Sequence, residues 1–196
     1  MLGNEKMCPT HMIFWAQVKC TAVSLQLKKL MRLLMVTVSF GMSDYLQHIV
    51  GKRIYFDVNL FIYALEPTQD MQAYFATVTK LFEMAVAKQI IAITSELTLA
   101  EALVGAYKNN LPLVELYEEM ISNRADLSVY PIDRKVLTTA ALLRSKQKTA
   151  LADAIHVATA LNHNADFFIT QDKRLQTVVG LQKLTLDSLL TQQSPI

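Results

Sequence analysis

Glycine, proline and cysteine are all scarce in this 196-residue chain: five glycines, five prolines and two cysteines. So few glycines leave little material for the Gly-rich phosphate-binding turn that a dinucleotide-binding strand–turn–helix unit requires. Both cysteines, Cys8 and Cys20, fall ahead of Met42. From residue 42 onward neither a disulfide nor a cysteine-based zinc site can form, and a reducing, cytoplasmic setting is the simplest inference. Charge is also sparse, at 18% of residues, and nearly balanced at +2. A strongly basic surface of the kind that binds nucleic acid by charge alone is therefore not expected. An enzyme that holds phosphate through metal ions needs fewer arginines. The hydrophobic content of 52% excludes disorder and supports one ordinary domain with a buried core.

The segment 1–41 differs from the rest. It holds five basic residues (Lys6, Lys19, Lys28, Lys29, Arg32) against the single acid Glu5, and also the only tryptophan, Trp15. The remainder carries 14 basic and 16 acidic residues. The longest stretches of the early segment without Lys, Arg, Asp or Glu are Met7–Val18 and Leu33–Ser43. Both are too short to span a bilayer. Lys28, Lys29 and Arg32 ahead of Leu33–Phe40 imitate a signal peptide, but the apolar run is short and no Ala-x-Ala-like cleavage site follows. The expectation is an N-terminal extension over 1–41, with Met42 as a candidate native start, followed by a functional domain over 42–196 and no membrane association.

From Lys52 an alternation sets in. Arg53–Phe56 is a short β-prone run, and Leu60–Leu65 reads as a helical turn closed by Glu66-Pro67, because proline restricts the residue before it. Met71–Lys88 carries apolar residues at helical spacing. Gln89–Thr94 reads as a buried strand, Ser95–Lys108 and Leu113–Ser122 as helices, and Leu127–Ile132 as a third strand. Arg134–Lys146 and Ala150–Asn162 read as helices, Asp166–Thr170 as a fourth strand and Gln182–Leu186 as a fifth. Strands alternating with helices imply a three-layer α/β sandwich around a mostly parallel sheet. In such sheets the working groups gather in the crevice at the carboxyl ends of the strands.

Two acids belong at those ends. Asp57 directly follows the first strand, and Asp172 lies two residues beyond Thr170 at the end of the fourth. Asp153 and Glu101 stand in helices that are otherwise apolar and small around them. An isolated carboxylate is costly to bury there without a partner. Each acid also has an ordinary structural reading. Asp57 suits an N-cap, Asp172 a cap for Lys173–Val178, Glu101 a capping box with Thr98, and Asp153 an ion pair with a lysine. Four acids converging on one sheet edge would raise one another's pKa and call for hard cations with oxygen preference.

The ordered motifs around these acids resemble those of the PIN domain family. They are Ile54-Tyr-Phe-Asp-Val-Asn-Leu-Phe-Ile-Tyr63, Thr94-Ser-Glu-Leu-Thr-Leu-Ala-Glu101, Leu151-Ala-Asp-Ala-Ile-His-Val-Ala-Thr-Ala160 and Phe168-Ile-Thr-Gln-Asp172. The resemblance spans roughly residues 52–187 and fills all four acidic positions, with Glu101 rather than Glu96 as the second. It implies a PIN-like, Rossmann-like fold with a sheet of four to five strands and an Mg²⁺-dependent endoribonuclease, Mn²⁺ being the alternative ion. The implied catalytic and metal-binding set is Asp57, Glu101, Asp153 and Asp172, with Asn59 and Thr170 orienting carboxylates or water. Lys173 and Arg174 are the expected substrate contacts beside the cluster; for Arg144, Lys146 and Lys148 a solvated face is favoured. His156 shares a helix face with Asp153, and a packed histidine is preferred there over a general base. Many bacterial relatives are VapC-like toxins held in check by an antitoxin, and dimers are common among them, so RNA, an antitoxin and a second copy are the implied partners. A non-catalytic binding module of the same fold and a structure-specific DNA nuclease stay open. A haloacid-dehalogenase-like phosphatase needs Asp-x-Asp, and Asn59 occupies its second position.

Overall fold

The computed structural model describes residues 44–66, 71–176 and 178–191. The N-terminal extension over 1–41, the start at Met42 and the break at Pro67 lie outside the described residues.

Five strands form one sheet in the order β3-β2-β1-β4-β5, with every pair parallel. They are β1 (Arg53–Phe56), β2 (Ile91–Ser95), β3 (Leu127–Tyr130), β4 (Phe167–Thr170) and β5 (Gln182–Thr185). The helices are α1 (Asp44–Gln47), α2 (Val58–Leu65), α3 (Gln72–Val86), α4 (Glu96–Asn109), α5 (Pro112–Met120), α6 (Arg134–Lys146), α7 (Leu151–Asn162) and α8 (Leu186–Thr191). Burial follows the strand order. The last three residues of β1 and β4 and the last four of β2 are buried without alternation, as expected of strands covered on both faces. The edge strand β3 alternates between buried and half-buried positions.

Tyr55, Ile93 and Phe168 pack with Val157 and Ala160 of α7 on one face of the sheet. Helix α7 comes close because its buried stretch Ala154–Ala160 is rich in alanine. On the other face Phe56 and Phe61 both meet the Phe82 ring edge-on, at centroid distances of 5.3 and 5.5 Å. Phe82 therefore pins α3 to the sheet. Replacing Phe82 with alanine is expected to destabilise the protein by about 3–5 kcal/mol, read as a lowered urea midpoint.

Most element boundaries shift by one or two residues from the sequence expectation, and two of the shifts have a visible cause. Helix α2 begins at Val58 rather than Leu60, because Asp57 accepts from the Val58 N–H and starts the helix at once. The fifth strand stops at Thr185, where Ser188 N–H donates to Thr185 Oγ1 at 3.1 Å and opens the unanticipated α8. Among the described residues no helix is long and apolar enough to cross a membrane.

The topology fixes where a site can form. From β1 the chain moves to β2 and β3 on one side, then returns to β4 and β5 on the other. The reversal falls between β1 and β4, and the crevice beyond their carboxyl ends is the natural binding position.

Candidate metal centre

Asp57 stands at that reversal point. Its N–H donates to the Ile169 carbonyl at 3.2 Å, so the backbone is still held to β4 when the strand ends. One carboxylate oxygen accepts from Val58 N–H at 2.8 Å. The other accepts from Asn59 Nδ2 at 2.9 Å and from the Thr170 hydroxyl at 2.5 Å. Thr170 Oγ1 in turn accepts from Asp172 N–H at 2.9 Å. The ends of β1 and β4 are thus stitched together through the carboxylate of Asp57. Its capping role and its place in the crevice are compatible, since a helix N-terminus favours negative charge.

Glu101 enters from the second turn of α4. Thr98, considered as its capping-box partner, instead lies 2.8 Å from the Thr94 hydroxyl in the buried interior. The Glu101 carboxylate is met by His156 Nε2 at 2.9 Å. His156 Nδ1 is 2.7 Å from the Tyr55 hydroxyl, which is 2.7 Å from Ser95 Oγ. Burial opposes charge on His156, but Tyr55, the Glu101 hydrogen bond and the Asp57 charge outweigh it and push its pKa up to about 10. An imidazolium with both N–H groups donating fits this arrangement.

Asp153 lies in the first turn of α7, where the helix N-terminus also favours an anion. Among the described residues no lysine or arginine forms an ion pair with it. Burial raises its pKa, and the charges of Asp172, Asp57 and Glu101 raise it further, with His156 opposing them. Asp172, Asp57 and Glu101 are thus each near enough to Asp153 to act on its charge. Asp172 sits at the rim. Its pKa is lowered, chiefly by the Arg174 backbone N–H, which donates to Oδ1 at 2.7 Å. No helix follows it over 173–176, so its cap reading reduces to this one local bond.

One ligand atom each from Asp57, Glu101 and His156 lies within 4.8 Å of the other two. The histidine nitrogens are already occupied by Tyr55 and Glu101, which makes the ring a partner of the acid rather than a free donor. The remaining donor set is carboxylate oxygen with an excess of negative charge, and it fits a hard divalent cation such as Mg²⁺ or Mn²⁺.

The flanking cations have other partners. Lys173 Nζ lies 2.9 Å from Asp187, which also accepts from Tyr74 and from Gln171 Nε2. Arg174 folds back on Asp172, with Nε at 3.3 Å from Oδ1. Arg144 Nε donates to the Thr149 carbonyl within the loop before α7. Tyr63 stacks on Tyr74 at 5.3 Å. Sequence reasoning overlooked Asp187 and the Ser95–Tyr55–His156 chain. Only the spacing of His156 from Asp153 signalled a shared helix face; nothing local announced Tyr55 or Ser95 as its neighbours.

The PIN domain family matches residues 54–181. No curated protein matches the chain. Among solved structures it is similar to VapBC2 from Rickettsia felis bound to a promoter DNA fragment, with a TM-score of 0.52 and 17% identity over 68% of this chain and 98% of that one. It is also similar to VapC20 from Mycobacterium tuberculosis, described as a toxin that cleaves the sarcin-ricin loop (TM-score 0.51, 11% identity, 62% and 92% covered). A DNA-bound VapBC from Salmonella typhimurium gives a TM-score of 0.50 at 16% identity, covering 69% of this chain and 98% of that one. At these identities the likeness is one of fold.

Proposed function

This chain belongs to the PIN domain family, and from that premise we propose that it is a metal-dependent endoribonuclease of the VapC-like toxin type. The observation that supports the reading is the approach of Asp57, Glu101 and His156, one ligand atom of each lying within 4.8 Å of the others, beside the reversal point between β1 and β4, where Asp153 carries no lysine or arginine ion pair among the described residues. In this reading residues 42–196 carry the nuclease and residues 1–41 are an extension. The expected partners are an antitoxin protein and a second copy of the chain, in the cytoplasm. The likeness in fold to a toxin described as cleaving the sarcin-ricin loop supports RNA as the substrate class.

Asp57, Asp153 and Asp172 are the residues that would hold Mg²⁺ or Mn²⁺, with Glu101 joining directly or through water. The bound cation supplies an acidified water and neutralises charge developing at the scissile phosphate. The protein's own part is orientation. Val58 N–H, Asn59 and Thr170 fix the plane of the Asp57 carboxylate, and Thr170 ties Asp172 to the same hydroxyl. Displacement in line with the leaving oxygen would leave a 5′-phosphate and a 3′-hydroxyl. Lys173 and Arg174 become phosphate contacts only by exchanging their present acids, Asp187 and Asp172, for the backbone of the RNA.

The test is cleavage of a labelled single-stranded RNA by the full chain with Mg²⁺, Mn²⁺ or EDTA, alongside a DNA strand of matching sequence. Cleavage of the RNA is expected with either ion and none with EDTA. At an Mg²⁺ concentration of about 100 times its Kd the fold should gain about 2.7 kcal/mol, seen as a raised Tm. Inertness on all strands, with no Mg²⁺ effect on Tm, would favour a non-catalytic binding module. Cleavage of DNA in preference to RNA would move the substrate class.

A further inference from the structure

We propose that His156, clamped from behind by Tyr55 and Ser95, is a positioning residue that aims the Glu101 carboxylate at the metal centre. The inference rests on the nuclease reading for its catalytic consequence, though not for its geometry.

Asp57 needs no such help. It is a short side chain at a strand end, held by three donors from its immediate surroundings. Glu101 is longer, sits on a helix, and has a side chain that remains 33% exposed. Holding a glutamate in one rotamer is entropically expensive. Its hydrogen bond to a protein group comes from His156 Nε2, at 2.9 Å. The ring that supplies this bond is itself immobilised. Nδ1 meets Tyr55 Oη at 2.7 Å, which fixes the ring's rotation and commits Nε2 to Glu101.

Tyr55 is fixed in turn. It lies in β1, stacks on Phe168 of the neighbouring strand at 4.8 Å, and meets Ser95 Oγ at 2.7 Å. Tyr55 and Ser95 are fully buried and His156 is 3% exposed. A buried polar chain of this kind is retained only when every member is satisfied. Two members of the chain belong to the centre's scaffold: Ser95 is the last residue of β2, directly ahead of the helix that carries Glu101, and Tyr55 lies two residues before Asp57 in the strand that ends at it. The rigid sheet therefore sets the angle of the Glu101 carboxylate through His156.

The experiment measures Mn²⁺ affinity by titration calorimetry, RNA cleavage as kcat and KM, and Tm, for wild type, His156→Leu, His156→Gln and Tyr55→Phe in the full chain. The glutamine amide nitrogen can replace Nε2 as the donor to Glu101; leucine cannot. His156→Leu is expected to weaken Mn²⁺ binding and lower kcat by about tenfold to a hundredfold, with KM for RNA changed less than about threefold. His156→Gln should recover most of both, and Tyr55→Phe should fall between them. A folded His156→Leu with wild-type Mn²⁺ affinity and kcat overturns the proposal, as does an equal loss in the leucine and glutamine variants. Should His156→Leu fail to fold, Tyr55→Phe decides: a loss of Mn²⁺ affinity at unchanged fold supports the proposal, and wild-type affinity overturns it. Mn²⁺ affinities that separate as expected while no variant, wild type included, cleaves RNA would support the positioning role and overturn the nuclease reading.

Discussion

Asp57→Asn will lower RNA cleavage by about a thousandfold or more, equivalent to about 4 kcal/mol on the barrier, while leaving the protein folded. The two halves of that expectation have separate causes. Asparagine has the size of aspartate and is an equally good N-cap, so its oxygen can still accept from Val58 N–H and start α2. What it cannot do is present a second accepting oxygen. Its amide would face Asn59 Nδ2, donor against donor, and the shared contact to Thr170 would have to turn around. The structural cost of that mismatch is about 1–3 kcal/mol, within what a domain of this size tolerates. The functional loss is larger because, in the proposed nuclease, a negative metal ligand would disappear at the point where β1 and β4 part. Single-turnover cleavage together with Tm separates the two: a variant that melts near wild type yet retains more than about a tenth of the activity would remove Asp57 from the site.

Asp153→Asn is expected to abolish cleavage to a similar extent, by about a hundredfold or more, yet to make the metal-free protein more stable. The carboxyl's pKa is raised in the fold, first by burial and then by Asp172, with Asp57 and Glu101 adding to it. A carboxyl whose pKa is raised on folding ionises more readily when unfolded. Wild-type stability from this group is therefore intact below the unfolded pKa, about 4, and declines as pH rises through the folded value. Asparagine does not ionise, so the variant's advantage is absent in acid and grows as pH rises above the unfolded value. Added Mg²⁺ should reverse the order, because wild type gains the binding energy and the variant does not. Melting curves at pH 4 and pH 7, with EDTA or Mg²⁺, measure all of this. An Asp153→Asn protein less stable than wild type in EDTA at pH 7 would mean that the carboxylate is compensated in the fold after all. Such an opposition between stability and activity is common where a site concentrates like charge.

How far these residues could be read in advance depended on how local their signals are. The alternation of short apolar strands with amphipathic helices, the acid directly after β1 and the threonine and acid around the end of β4 are all properties of a few consecutive residues. Period-two and period-3.6 patterns express them without reference to the rest of the chain. Four acids in four ordered motifs were enough to resemble one family, and the match over residues 54–181 places the chain in it. Element boundaries were less legible. The start of α2 depended on a side-chain cap, and α8 on a Thr185–Ser188 exchange that competes with continuing the strand.

Alone, the sequence determined a parallel α/β sandwich, the strand ends at which acids would stand, and the scarcity of cysteine and glycine that excluded other chemistries. Only the tertiary structure decided what those acids touch. His156 meets Tyr55 across 101 residues of sequence, and Thr170 meets Asp57 across 113. Such contacts follow from the order β3-β2-β1-β4-β5 and from the alanine-rich docking of α7 on the sheet. The same structure places Lys173 beside Asp187 and Arg174 beside Asp172, exposed pairs of small energetic weight that sequence spacing alone did not specify. Periodicity specifies which face of an element is apolar; which side chain of another element completes a polar group is decided only when the layers close.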